Sequence, residues 1–160
     1  MVRMEISLFL KNQPGALGEL TDLLSNEGIN IDALTIQDAS AYVRELFKAR
    51  GKSIRRIASV ANYNSMAQDS VEFALIRLLV NDTEKAVDLL SRHEYLYDVM
   101  PVVAIEIDNK PGTLSGLART FGDNDININY VYGSAIEGTD KALFVFCPED
   151  LDLAVKIFQD

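Results

Sequence analysis

Apolar residues in this chain fall into alternating and helical runs that occur twice in the same order. Near the start, Ile6, Leu8 and Leu10 alternate with more polar neighbours, which predicts a half-buried strand. A Pro-Gly pair follows, and then Leu17, Leu20 and Leu24, spaced three and four apart, predict a helix with one apolar stripe. An Asn-Ile pair, Asn30 and Ile31, opens the next strand. Further on, Val103, Ile105 and Ile107 alternate in the same way. They lead through Pro111-Gly112 to a stripe of Leu114, Leu117 and Phe121, and then to Asn127-Ile128.

The second run repeats the first without a gap. Pro14 and Pro111 differ by 111 − 14 = 97 positions, and this offset also pairs Asn12 with Asn109, Leu20 with Leu117 and Ile29 with Ile126. Repeats of this kind set the architecture before any single element does. In the second copy, "EGTD" predicts a hairpin turn into "KALFVFC", with the helix "EDLDLAVKIF" after it. The first copy answers with "TEKAVDLLSR" and adds a strand, "EYLYDVM". Acidic residues at both helix starts suit the helix dipole.

The order β-α-β-β-α, with a further strand in the first copy, predicts an α+β fold of two ferredoxin-like βαββαβ modules. Each would be an antiparallel sheet with its helices on one face. The expected division is 1–100 for the first module and 101–160 for the second. The second stops before a last strand, so its sheet either goes without one or takes one from a neighbouring chain or repeat. The run from "EYLYDVM" into "PVVAIEID", broken only around Pro101, favours exchange between the repeats.

The copies differ in length between their second and third strands. Ala86 aligns with Ala154 at an offset of 154 − 86 = 68, so the first copy carries 97 − 68 = 29 extra residues. They fall at about 39–70, where helical spacing around Gly51 predicts a helical hairpin inserted in the first module. The insertion is basic, with six Lys and Arg against two acidic residues, whereas the whole chain of 160 residues carries −9. Such a charge run is a solvated face, or a surface that docks on the acidic body of a second subunit or on a separate partner, with a nucleic-acid contact as a weaker third choice.

Composition narrows the function classes. The net charge of −9 argues against nucleic acid and anionic membrane as partners. No apolar run reaches the roughly 20 residues needed to cross a bilayer. Cys147 stands alone, so a cytoplasmic protein without an internal disulfide is expected. The chain contains no GxGxxG, phosphate-binding loop, His/Cys metal cluster or Ser-His-Asp candidate, so no cofactor, no metal and no enzyme activity are expected.

The repeated "NQPGAL…GINI" and "NKPGTL…DINI" resemble the ACT domain, a ligand-sensing module of amino-acid metabolism. The resemblance covers most of the chain as two copies, apart from the insertion. It implies a small amino acid bound between two paired modules, against the turn after strand one and the start of helix one. The matching positions are Asn12 and Asn30 in the first copy, and Asn109 and Asn127 in the second. Around them lie Pro14, Gly15, Ala16, Leu17 and Ile31, and then Pro111, Gly112, Thr113, Leu114 and Ile128. The family's His two residues before the first Asn is replaced here by Leu10 and Ile107.

The chemistry of the residues agrees with such a ligand. N–H groups at a helix start, approachable beside Gly15 or Gly112, suit a carboxylate. Asn side chains accept from an ammonium and donate to a carboxylate. Asp108 adds a countercharge for the ammonium where the first copy has Lys11, which favours the second turn if only one copy binds, or an intramolecular pair whose two sites are unequal. The resemblance therefore implies a non-catalytic regulatory protein, a homodimer, that senses a small amino acid. The alternatives are a regulatory subunit of an amino-acid biosynthetic enzyme, like the small subunit of acetolactate synthase, or an interaction module with no ligand. Turn chemistry alone also selects Pro, Gly and Asn at these positions.

Overall fold

The computed structural model describes residues 1–39, 73–135 and 140–159. The expected helical hairpin at about 39–70 lies outside the described residues except for Ala39, and the "EGTD" turn lies outside them except for Asp140. The chain divides into two units, Ile6–Val99 and Met1–Glu5 with Met100–Asp160. Two strands contribute to both: β1 (Val2–Lys11) and β4 (Tyr97–Asp108).

The first unit contains β1 from Ile6, α1 (Ala16–Asn26), β2 (Ile31–Asp38), β3 (Phe73–Val80), α2 (Thr83–Arg92) and the first residues of β4. Its strand order is β2-β3-β1-β4, the order of a ferredoxin-like module. β3 pairs antiparallel with both β1 and β2, placing Leu8 beside Ile76 and Leu34 beside Leu78. Alternation puts Ile6, Leu8 and Leu10 on one face, where the helices cover them. The buried stripes are Leu20 and Leu24 of α1 and Ala86, Leu89 and Leu90 of α2. Ala39 donates its N–H to the Phe73 carbonyl at 2.7 Å, so the chain leaves and re-enters this sheet at one end.

The second unit repeats this plan with β4 from Met100, α3 (Thr113–Asp123), β5 (Ile128–Ala135), β6 (Lys141–Pro148) and α4 (Leu151–Gln159). Its order is β1-β4-β6-β5, with Met1–Glu5 beside β4. Met1 and Ala104 exchange both backbone bonds at 2.9 Å, the mark of an antiparallel hydrogen-bonded pair. β4 runs unbroken through Pro101, although the sequence reading separates "EYLYDVM" from "VVAIEID" there. The Met1–Ala104 pair turns the Pro101 nitrogen away from β1, toward β6 but past the last paired residue, Val103. Its missing N–H therefore costs no ladder bond. The core gathers Val103, Ile126, Phe146 and Ala154 around Phe121, whose ring lies 5.0 Å from Phe146 and 4.8 Å from Phe158.

Helix ends repeat as faithfully as the strands. Ile29 reaches back to the Leu24 carbonyl and Gly28 to Ser25, with Gly28 at φ 71°. This is a Schellman stop, and its outer residues Leu24 and Ile29 are both buried. α3 ends in the same way through Ile126 to Phe121 and Asp125 to Gly122, with Asp125 at φ 58° in the glycine's place.

Candidate functional site

The two Pro-Gly turns are the same structure built twice. In the first, Gln13 N–H bonds the Lys11 carbonyl at 2.9 Å, and Ala16 N–H bonds Gln13 at 3.3 Å. In the second, Lys110 bonds Asp108 at 2.8 Å and Thr113 bonds Lys110 at 3.3 Å. Gly15 and Gly112 then start α1 and α3 at φ 94° and 93°, in a region where a side chain is unfavourable. Neither of these helix starts has a side-chain cap. The other two described helices are capped: Asp82 accepts from Lys85 N–H at 3.0 Å, and Asp150 from Leu153 N–H at 2.9 Å. The uncapped starts are thus a repeated property of one helix type, and they leave first-turn N–H groups able to meet an anion.

Around these starts, Asn12, Pro14 and Gly15 are exposed, and Ala16 and Leu17 are half-buried. In the second copy Asn109, Pro111, Gly112 and Leu114 are exposed and Thr113 is half-buried, its hydroxyl donating to the Lys110 carbonyl at 3.1 Å. Asn109 N–H bonds the Asp140 carbonyl at 2.9 Å. The second Asn of each copy lies elsewhere. Asn30 exchanges bonds with Asn81, giving its N–H to the side chain at 2.9 Å, and its amide donates to Asp32 at 2.9 Å. The Asn127 carbonyl accepts from Glu149 N–H at 2.8 Å.

Register shows how far apart these residues are. Lys11 pairs with Phe73, and Ile31 pairs with Val80, seven residues along the same strand. At ~3.4 Å per residue this is about 24 Å. The second copy has the same layout, with Asp108 opposite Lys141 and Ile128 opposite Pro148. Asn12 and Asn30 therefore sit at opposite ends of one sheet, as do Asn109 and Asn127. The fold brings Asn12 together with Gly15 and Ala16, but not with Asn30 and Ile31.

Charge distinguishes the two turns. Asp108, expected as a countercharge for a ligand ammonium, is already held by Lys141 at 2.9 Å and Lys110 at 3.5 Å. The Lys141 hydrogen bond and then its charge hold the Asp108 carboxyl below the usual range. Beside the first turn lies a cavity of about 290 Å3, bordered by Lys11, Gln13, Ala16, Glu19, Glu94 and Tyr95, with apolar walls including Leu10. Burial, and then the Glu19 charge, push the Tyr95 hydroxyl up. Of these residues only Ala16 is among the ligand contacts that the sequence implies. Glu19 is one turn into a helix and Glu94 follows another, and no local pattern joins them. A second hollow, of about 650 Å3, borders Asn127 and Ile126 and includes Glu149 and Asp150. Among the described residues no group of His, Cys, Asp or Glu is arranged to hold a metal, and no helix is long and apolar enough to cross a membrane.

Known proteins with this architecture give the arrangement a context. Protein BT0572 from Bacteroides thetaiotaomicron is similar over 99% of this chain and 88% of its own, at 26% identity and a TM-score of 0.72. The ligand-free regulatory subunit of aspartate kinase from Thermus thermophilus is similar over 98% of this chain and 92% of its own, at 12% identity and a TM-score of 0.55. Aspartokinase alpha and beta subunits cover 99% of this chain and 94% of theirs, at 11% identity and a TM-score of 0.50. These last two share the fold. No curated protein matches the chain. The sequence pattern of the ACT domain pair matches residues 50–158, and with the doubled βαββα plan and its two glycine-started helices the chain belongs to the ACT domain pair family.

Proposed function

We propose that this chain is a non-catalytic regulatory protein that senses a small amino acid at paired ACT modules. The observation that carries the reading is the contrast between helix starts: α1 and α3 begin on a left-handed glycine with no side-chain cap, while α2 and α4 are capped by Asp. A ligand carboxylate would take the N–H groups left open there. The first turn adds the groups a zwitterion needs, with Lys11 and Glu19 on the rim of one amino-acid-sized cavity. We therefore favour the first turn, because Asp108 in the second is already neutralised by two lysines.

Asn12 and Asn30 stand at opposite ends of one sheet, so a site using both kinds of Asn draws the second from another module. A second copy of the chain, in a homodimer, would supply it. A ligand that joins two modules favours the arrangement in which both contacts are made, and this difference in affinity is the signal.

A thermal-shift screen of the twenty amino acids tests the reading. A ligand at 100 times its Kd stabilises by roughly 2.7 kcal/mol, an easily measured shift. Glu19→Gln and Asn12→Ala should remove the shift and Asn109→Ala should spare it. No shift with any amino acid would leave the turns as structure alone. Co-purification of a catalytic chain from native extract would identify the protein as the regulatory subunit of an enzyme.

A further inference from the structure

Glu5 is the one buried charged side chain among the described residues, with no exposed surface. Tyr130 donates its hydroxyl to one carboxylate oxygen at 2.5 Å, and Tyr132 donates to the other at 2.8 Å. The Tyr130 hydroxyl also lies 3.5 Å from the Met100 sulfur and is in contact with Cys147. All of these residues belong to the unit Met1–Glu5 with Met100–Asp160. Tyr130 and Tyr132 are two apart on β5, so both rings leave the same face. That face, beside Cys147 and Val145 of β6, is the one away from the helices.

The first copy has no such device: the offset of 97 places Ala33 and Thr35 where the tyrosines stand. The feature is specific to the unit whose outer strand comes from the chain's beginning. Within this unit the segment Met1–Glu5 has little apolar burial of its own, since Val2 and Met4 are 39% and 40% exposed. The buried Ile6, Leu8 and Leu10 of the same strand belong to the other unit. A slip of one residue would turn the Glu5 carboxylate to the helix-covered face. A slip of two keeps the face but displaces the carboxylate by about 7 Å, beyond both hydroxyls.

We propose that Glu5 is the register lock of the N-terminal strand: Tyr130 and Tyr132, by gripping both oxygens of its carboxylate, select Met1–Glu5 as the strand that completes the second unit beside β4. Apolar burial fastens the other strands, and a polar clasp fastens this one.

Hydrogen exchange read by mass spectrometry on the full chain tests the clasp. In Tyr130→Phe/Tyr132→Phe the amides of residues 2–6 should exchange at least tenfold faster, while those of β3 in the other unit keep their rates. Glu5→Gln retains one carbonyl oxygen for one phenol and should give an intermediate acceleration. It also serves as the readout if the double variant fails to fold. Unchanged N-terminal rates in these variants, or an equal acceleration in β3, would overturn the proposal.

Discussion

Four glycines lie near the starts of α1 and α3, and the structure assigns opposite signs to their replacement by alanine. Gly15 and Gly112 have φ of 94° and 93°, whereas Gly18 and Gly116 lie inside the helices. Space plays no part, because a Cβ at any of the four meets nothing within 4 Å. Conformation alone decides. An L-residue held at left-handed φ costs about 1–2 kcal/mol. Alanine in place of a helical glycine gains about 0.5–1 kcal/mol, mainly because the unfolded chain has less freedom to lose. Gly15→Ala and Gly18→Ala, three residues apart, should therefore differ by about 1.5–3 kcal/mol. At roughly 2–4 °C per kcal/mol for a chain of this size, Gly15→Ala lowers Tm by about 2–8 °C and Gly18→Ala raises it by about 1–4 °C. Urea melts followed by circular dichroism give the same comparison through the midpoint. A neutral or stabilising Gly15→Ala would refute this assignment. Equal destabilisation by both variants would refute it too, since the added carbon rather than its φ would then be at fault.

Two further outcomes follow from the helix stop and the charged turn. Asp125 occupies, at φ 58°, the place that Gly28 takes in the first copy, so Asp125→Gly should raise stability by about 1 kcal/mol in the same melts. For Asp108, the Lys141 bond lowers the folded pKa below the ordinary aspartate value of 3.8. Its contribution is therefore present above 3.8 and is lost as pH falls through the lower folded value. A carbon-detected NMR titration should place its midpoint below 3.8, and Lys141→Met should move it upward; a midpoint unaffected by that change would refute the pairing. The group is exposed, so added salt should shrink the effect.

Most of the fold was legible because it is written twice. The alternation in β1 and β4, the stripes of α1 and α3 and the Pro-Gly starts each confirm the other copy at one offset, and the α+β plan of two ferredoxin-like modules followed. The destination of Met1–Glu5 was not legible. Val2 and Met4 face water, and Glu5, the residue that is buried, is the type that burial patterns assign to the surface. Its partners lie 125 and 127 residues away, out of reach of any local rule. The site divides in the same way. The turn residues and their backbone geometry could be read from Pro, Gly and Asn. The lysines that occupy Asp108, and the meeting of Lys11, Glu19, Glu94 and Tyr95 around one cavity, depend on tertiary approach.

The Met1–Ala104 pair spans 103 residues, and that distance is also a time. A ribosome adding roughly 5–20 residues per second makes Ala104 about 5–20 s after Met1. Through that interval Ile6–Lys11 can join β3 as soon as it appears, while Met1–Glu5 still awaits its own neighbour. Contacts of such long range form late and slowly. Met1–Glu5 are thus made well before the strand they pair with, and an early wrong pairing there would cost the second unit its edge.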